Sequence, residues 1–354
     1  MRLLVTGGAG FIGANFVAHL LANGAERVVV LDALTYAGNR ANLAAAENDP
    51  RFRFVQGSIL DRELVEQLLD SEGIDHVANL AAESHVDRSI RGPETFVDTN
   101  VTGTLRLLEA VRAHLDAHPG KRERFRYLQV STDEVFGSLG PTDPRFNERT
   151  PYAPNSPYAA SKAAADHLVR AWHATYGLPV LISNCSNNYG PYQFPEKLIP
   201  LVIHNALAGK SLPLYGDGQQ IRDWLHVADH CHALAAILER GAPGAVYTIG
   251  GDAERTNLDI VGALCDLLDR HRPLNAGSYR DQIAFVADRP GHDRRYAIDA
   301  GKIARDLGWR PRYDFATGLE ATLLWYLDHA DWVGDVTSGA YRDWVAKHYE
   351  GQGA

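Results

Sequence analysis

The chain has 354 residues, 45% hydrophobic and 22% charged, the balance of a globular protein long enough for one large or two ordinary domains, which argues against disorder. Its net charge of −9 disfavours a nucleic-acid partner, for want of a basic excess to displace counterions, yet leaves room for one anionic small molecule held by local Arg, Lys and helix N-termini. No apolar run nears the ~20 residues of a membrane span, Met1-Arg2-Leu3-Leu4-Val5 opens a strand and not a signal peptide, and the scattered Cys185, Cys231 and Cys265 suggest neither disulfides nor zinc, so the expected location is the cytoplasm.

Strand-like and helix-like segments alternate through the first half. Residues 2–6, 27–31, 52–55, 76–80, 126–130 and 179–183 read as buried parallel strands, with amphipathic helices over 11–22, 62–69, 94–114 and 157–176 between them. The rhythm predicts an α/β fold, a doubly wound Rossmann-type parallel sheet covered on both faces. Beyond Tyr189, Pro, Gly and aromatic residues thicken and the helices shorten (196–207, 227–238 and 258–269), as in a smaller C-terminal α/β substrate domain. We therefore expect a dinucleotide-binding domain over 1–188 with a return segment near 220–250, and a discontinuous second domain over 189–354.

Val5-Thr6-Gly7-Gly8-Ala9-Gly10-Phe11-Ile12-Gly13 leaves the first strand and opens the first helix. Gly7 suits a tight turn, Gly10 lets backbone approach a pyrophosphate, and Gly13 lets helix pack closely on strand. The second strand ends at Asp32, 19 residues after Gly13, where a carboxylate can hold a ribose 2′-hydroxyl and repel a 2′-phosphate. NAD is thus the expected cofactor, in preference to NADP.

Tyr158 and Lys162 lie four apart on a predicted helix and share one face, a spacing that also arises on any exposed helix. Upstream, Ser131-Thr132-Asp133-Glu134 ends a predicted strand, at the edge where parallel sheets bind ligands. A Tyr beside an ammonium can take a proton from an alcohol. Asp133 and Glu134 would point to opposite faces of a straight strand, so the chain should bend there. For Asp133 to donate a proton its pKa should be raised, by desolvation or by Glu134.

Gly7-x-x-Gly10-x-x-Gly13, Thr132 and Tyr158-x-x-x-Lys162 together resemble the extended short-chain dehydrogenase/reductases of the NAD-dependent epimerase/dehydratase family. The likeness extends through Leu34-Thr35-Tyr36-Ala37-Gly38-Asn39, Leu80-Ala81-Ala82-Glu83-Ser84-His85-Val86-Asp87-Arg88-Ser89, Asn184-Cys185-Ser186-Asn187-Asn188-Tyr189-Gly190-Pro191, Gln220-Ile221-Arg222-Asp223-Trp224 and Asp288-Arg289-Pro290-Gly291-His292-Asp293-Arg294-Arg295-Tyr296. It is similar there to the branch that dehydrates dTDP-hexoses. Ser58 and Ala33 depart from the family's usual acid after Gly57 and Lys after Asp32; both concern the adenosine end.

The resemblance implies conversion of dTDP-glucose to dTDP-4-keto-6-deoxyglucose, in deoxysugar biosynthesis, by a hydro-lyase with no net redox change. Tyr158 takes the C4 hydroxyl proton as hydride passes to NAD, Thr132 bonds the C4 oxygen, and Lys162 lowers the Tyr pKa. Glu134 removes the C5 proton, Asp133 protonates the departing C6 hydroxyl, hydride returns from NADH to C6, and C5 is reprotonated. It further implies cofactor contacts from Gly7, Gly10, Phe11, Ile12, Gly13, Asp32, Leu34, Thr35, Ser58, Ile59, Leu80, Ala81, Ala82, Ser84, Thr99, Tyr158, Lys162 and Asn188. Substrate contacts are implied for Ser84, His85, Thr132, Asn187, Lys197, Leu198, Arg222, Asn257, Arg289 and His292, with Arg222 and Arg289 as diphosphate clamps. A homodimer packed through 94–114 and 157–176 is also implied.

Two other functions compete. A nucleotide-sugar 4-epimerase shares the scaffold but has no use for an acid–base pair at C5 and C6. A non-catalytic NAD-sensing module need not keep Thr132, Tyr158 and Lys162 together. His226, His230 and His232 are read as helix-surface histidines and not as a metal site, since the mechanism needs no metal; Trp172, Trp309 and Trp325 are read as packing residues, and Cys185 as a core filler.

Overall fold

Strands made of Leu and Val, apolar on both faces, can lie only inside a sheet covered on both sides. In the computed structural model, which describes residues 1–288 and 292–337, such strands are the centre of the molecule. The first half runs β1 (Arg2–Thr6), α1 (Phe11–Ala22), β2 (Arg27–Asp32), β3 (Phe52–Gln56), α2 (Arg62–Ser71), β4 (His76–Asn79), α3 (Val86–Arg91), α4 (Pro93–Phe96) and α5 (Thr104–Ala117). It continues through β5 (Arg126–Thr132), α6 (Pro157–Tyr176) and β6 (Val180–Cys185). The remainder is β7 (Asn187–Tyr189), α7 (Leu198–Leu207), β8 (Leu212–Tyr215), β9 (Ile221–His226), α8 (Val227–Arg240), β10 (Val246–Ile249), β11 (Glu254–Thr256), α9 (Asn257–His271), β12 (Ile283–Val286), α10 (Gly301–Leu307), α11 (Phe315–Asp328) and α12 (Ala330–Thr337).

Seven strands form one sheet in the order β10-β6-β5-β4-β1-β2-β3, and every pairing within it is parallel. From β1 the order runs one way to β2 and β3 and the other way to β4, β5 and β6. The connections on either side of β1 therefore part, and a crevice opens at the carboxyl ends of β1 and β4. One apolar cluster, with Phe16, Val17 and Leu234, covers one face; another, with Leu69, Leu108 and Val111, covers the other. This is the expected doubly wound Rossmann-type sheet.

The segment near 220–250 supplies β10, which pairs with β6 at the sheet edge, and α8, which packs against α1. Around it stand a three-stranded sheet, β11-β9-β7, and the pair β12-β8, packed with α7, α9 and α11 around Ile203, Leu264 and Leu323.

Two expectations need correction. The single helix expected over 94–114 is α4, then a π-helical stretch Val97–Gly103, then α5. The wider turn carries Asn100 inward, where its side chain bonds the backbone N–H and C=O of Glu83 and Ser161 Oγ. A Cβ at Gly103 would meet Ile59 Cδ1 at 2.6 Å, so the stretch lies tight against the strand ends. His226 and His230, expected on a helix surface, are buried instead. His226 stacks on Tyr313 and His230 Nδ1 bonds Asn188 Oδ1 at 2.9 Å.

Burial lowers the pKa of His226 to about 4 and that of His230 to about 3. Below about pH 6.5 the unfolded chain takes up protons that the folded chain refuses, so stability falls as pH falls through that window. Each such histidine should cost about 1 kcal/mol per pH unit between its unfolded and folded pKa values. Urea denaturation at a series of pH values should show that slope, and His230→Gln should remove about half of it if both histidines remain neutral when folded.

Candidate active site

The crevice begins where β1 meets its glycine turn. Gly7 has φ +69°, and a Cβ there would sit 2.6 Å from Ala81 N. A Cβ at Gly13 would lie 2.2 Å from Gly7 O, so the first turn of α1 can rest on the loop only without a side chain. Gly10 caps α1 with no side-chain bond, and no acid occupies the helix's first turn, which leaves its positive end available to phosphate. Asp32 closes β2, its carboxylate accepting from Ala9 N and Leu34 N at 2.8 Å each. Burial pushes the Asp32 pKa up, and those two bonds pull it down. A bare helix terminus, close glycines and a carboxylate at the second strand end fit a dinucleotide.

From this cradle a cleft of about 740 Å³ extends along the sheet edge. Every expected cofactor residue lines it: Gly7, Gly10, Phe11, Ile12 and Gly13 at the turn, and Asp32, Leu34 and Thr35 after β2. Ser58 and Ile59 follow β3, and Leu80, Ala81, Ala82 and Ser84 follow β4. Thr99, Tyr158, Lys162 and Asn188 complete the wall.

At the far end β5 stops at Thr132 and the chain turns into a 3₁₀ segment, Asp133–Phe136, the bend that two inward carboxylates require. Thr132 Oγ1 accepts from Glu134 N at 3.2 Å and donates to Asp133 Oδ1 at 3.3 Å. Asp133 is 2% exposed, and its Oδ2 has no hydrogen-bond partner among the described residues. Burial first, then the adjacent Glu134, pushes its pKa well above the usual carboxylate range. An acid that favours its proton and a second carboxyl thus face one cleft with Thr132 and Tyr158.

The shift on Tyr158 runs opposite to the expected one. Burial and the Glu134 charge push the phenol well above its ordinary value, while a hydrogen bond with Thr132 opposes them. Lys162 spends its hydrogen bond on Val130 O at 2.8 Å.

Among the expected substrate residues, Ser84, Thr132, Asn187 and Lys197 line the cleft. His85, Leu198, Arg222, Asn257 and His292 do not. His85 caps α3 and approaches Glu196 at 3.5 Å, Leu198 packs into the core of the second half, and Asn257 N donates to Gln220 O. His292 Nδ1 pairs with Asp288 at 2.6 Å. Arg222 donates to Ile221 O and Asp293 O and stacks over Tyr296, so its fork is turned toward protein. Arg289 lies outside the described residues.

Several cleft residues were not among the expected site residues. Tyr36, Glu83 and Glu196 line its wall, and Trp332, Asp335 and Val336 reach it from α12. Trp332 Nε1 donates to Asn42 Oδ1 at 2.8 Å, and Asn42 Nδ2 donates to Ala9 O at 2.9 Å, tethering the last described helix to the glycine loop. Outside the cleft, Asp70, His114 and His118 approach one another. Lys121 Nζ stands 3.3 Å from His114 Nε2, which keeps the ring proton on Nδ1, against Asp70.

A dinucleotide cradle with Thr132, Tyr158 and Lys162 at the carboxyl edge of a doubly wound sheet defines the extended short-chain dehydrogenase/reductase class. The profile of the GDP-mannose 4,6 dehydratase family matches residues 4–322, and the chain belongs to that family. It is 60% identical to a dTDP-glucose 4,6-dehydratase of Xanthomonas campestris pv. campestris (strain B100), over 96% of this chain and 97% of the relative. The crystal structure of DesIV, a dTDP-glucose 4,6-dehydratase of Streptomyces venezuelae with NAD bound, superposes with a TM-score of 0.87 at 50% identity, covering 95% of this chain and 100% of that one. A UDP-glucose 4-epimerase of Thermotoga maritima shares the fold at a TM-score of 0.82 but only 28% identity, over 93% of this chain and 100% of that one.

Backbone crowding at the glycine turn has a direct consequence. Gly13→Ala should displace the loop, lower the melting temperature and weaken NAD binding at least about tenfold, an overpacking cost of about 1–3 kcal/mol. Calorimetry and the NAD content of the purified variant measure both.

Proposed function

We infer that the chain converts dTDP-glucose to dTDP-4-keto-6-deoxyglucose, eliminating water with NAD as a cofactor that ends each cycle unchanged. The observation that carries this reading is the Asp133–Glu134 turn: a buried, proton-retaining acid beside a second carboxyl, in one cleft with Thr132 and Tyr158. Redox at C4 alone gives such a pair nothing to do. Elimination across C5 and C6 needs one group to take a proton and another to give one.

The roles proposed for these residues are as follows. When bound, NAD supplies a hydride acceptor and donor and, in its oxidised form, a positive ring charge. Tyr158 Oη removes the C4 hydroxyl proton, and Thr132 Oγ1 holds the C4 oxygen. The resulting C4 ketone makes the C5 hydrogen acidic; Glu134 takes it, and Asp133 gives its retained proton to the departing C6 hydroxyl. A phenol held as high as Tyr158 needs an added positive charge before it can act as a base, which ties its ionisation to the oxidised cofactor. The cradle and α8–β10 hold NAD, and the sugar nucleotide lies toward residues 189–337, with Asn187 and Lys197 at the join. Arg289 serves as a diphosphate clamp.

A homodimer packed through 94–114 and 157–176 belongs to this reading; the exposed apolar side chains of Val97 and Tyr176 on those segments support it. No helix among the described residues is long and apolar enough to cross a membrane. The three buried free thiols suit a reducing compartment such as the cytoplasm.

Mass spectrometry of dTDP-glucose incubated with the purified protein should show loss of one water, without lasting absorbance from reduced nicotinamide. C4 inversion at unchanged mass would give the site to epimerisation. Glu134→Gln should stall after oxidation, with the reduced-cofactor absorbance persisting and turnover down about 10²–10⁴-fold.

A further inference from the structure

One fully buried carboxyl behind the cleft has no part in the steps above. On α6, Asp166 follows Lys162 by one helical turn, as Lys162 follows Tyr158, so the three side chains share a face. Asp166 is 0% exposed, and its Oδ2 accepts from Ser131 Oγ at 2.7 Å, Tyr152 Oη at 3.0 Å and Asn184 Nδ2 at 3.3 Å. Three donors converging on one oxygen, from β5, the segment before α6 and β6, suit an ionised carboxylate, which accepts only. Asn184 Nδ2 also donates to Thr132 O at 3.2 Å, and Lys162 Nζ donates to Val130 O at 2.8 Å. Three consecutive residues of β5, Val130 to Thr132, are thus held by Lys162, Asp166 and Asn184.

The charges around the pair are few. Burial acts against the Lys162 ammonium, and Asp166 and then Cys185 favour it. The Cys185 thiol is itself pushed up to about 12 by burial, so it carries no charge at neutral pH. On the other side, Tyr152 is held far above its ordinary value, first by burial and then by Asp166, with Arg170 opposing and the His167 ring 5.3 Å away. Burial pushes the Asp166 carboxyl up as well, and Lys162 and the hydrogen bonds from Ser131, Tyr152 and Asn184 pull it down; Asp166 is the leading charge that offsets Lys162's burial.

We propose that Asp166 is a positioning residue of the dehydration, its carboxylate keeping Lys162 ionised while its hydrogen bonds fix the end of β5 that presents Thr132 and Asp133. The proposal rests on the dehydration inferred above and on the role that the family resemblance implies for Lys162 beside Tyr158.

Asp166→Asn separates charge from geometry. The amide oxygen can accept from the same three donors, and the new NH₂ falls where Oδ1 has no partner. Without the negative charge Lys162 should lose its proton at lower pH, moving the alkaline limb of the kcat–pH profile down by about 1–3 units. Tyr152→Phe, which removes one bond and keeps the charge, should leave that limb in place. An unmoved limb in Asp166→Asn, or an equal shift in Tyr152→Phe, overturns the proposal. Absence of dehydration in the unaltered protein would instead sink the functional reading.

A second measurement needs neither turnover nor a folded Asp166 variant. In Lys162→Met the buried carboxylate loses its opposing charge, so its folded pKa rises further and stability is lost as pH rises through it. The melting-temperature gap between the unaltered protein and Lys162→Met should therefore widen from about pH 6 to about pH 9. A gap constant across that range overturns the proposal.

Discussion

Strand β5 pairs with β6 in a register that sets Val130 opposite Ser183, Ser131 opposite Asn184 and Thr132 opposite Cys185. Side chains along a strand alternate between faces, so Ser131 turns to Asp166 while Thr132 turns to the cleft. A slip of one residue would exchange them, sending Thr132 to the buried network and Ser131 to the substrate. The turn at Asp133 begins where this pairing ends. The buried sheet edge then decides the electrostatics: the same burial that pushes the Asp133 carboxyl up also holds the Tyr158 phenol high. One environment thus prepares an acid and restrains a base, and the restraint is lifted only by added positive charge.

Much of this was legible in the residues. The strands over 2–6 and 27–31 hold uninterrupted apolar stretches, Leu3–Val5 and Val28–Leu31, which a doubly covered parallel sheet accommodates, and their ends locate the crevice. Gly7 and Gly13 declare a close approach because a Cβ at either would run into backbone, Ala81 N at 2.6 Å and Gly7 O at 2.2 Å. Adjacent Asp133 and Glu134 demanded a bend, since a straight strand would have buried one and bared the other.

The remainder depended on contacts between residues far apart in sequence. Helix periodicity over 94–114 does not distinguish an α-helix from one with a π-helical stretch, because the widening is set by Asn100 reaching Glu83 and Ser161. Arg222 has the chemistry of a phosphate clamp, yet Tyr296 and two carbonyls occupy its guanidinium. Histidines on α8 read as surface residues until α8 is seen packed against α1. Asp166 did leave a trace, an acid eight residues after Tyr158 on the same helical face, but its weight comes from partners on two strands and a loop.

The tether from Ala9 through Asn42 to Trp332 joins the glycine loop to the last described helix. During synthesis the Rossmann strands leave the ribosome long before α12 does, and domains begin folding from the N-terminal end. The strands of the cradle can form early, but its wall at Trp332 and Val336 is added only after α12 has been made. The aromatic brace over the glycine loop is thus a late addition to an early fold, so closure of the cradle depends on an element made some 290 residues after Asn42.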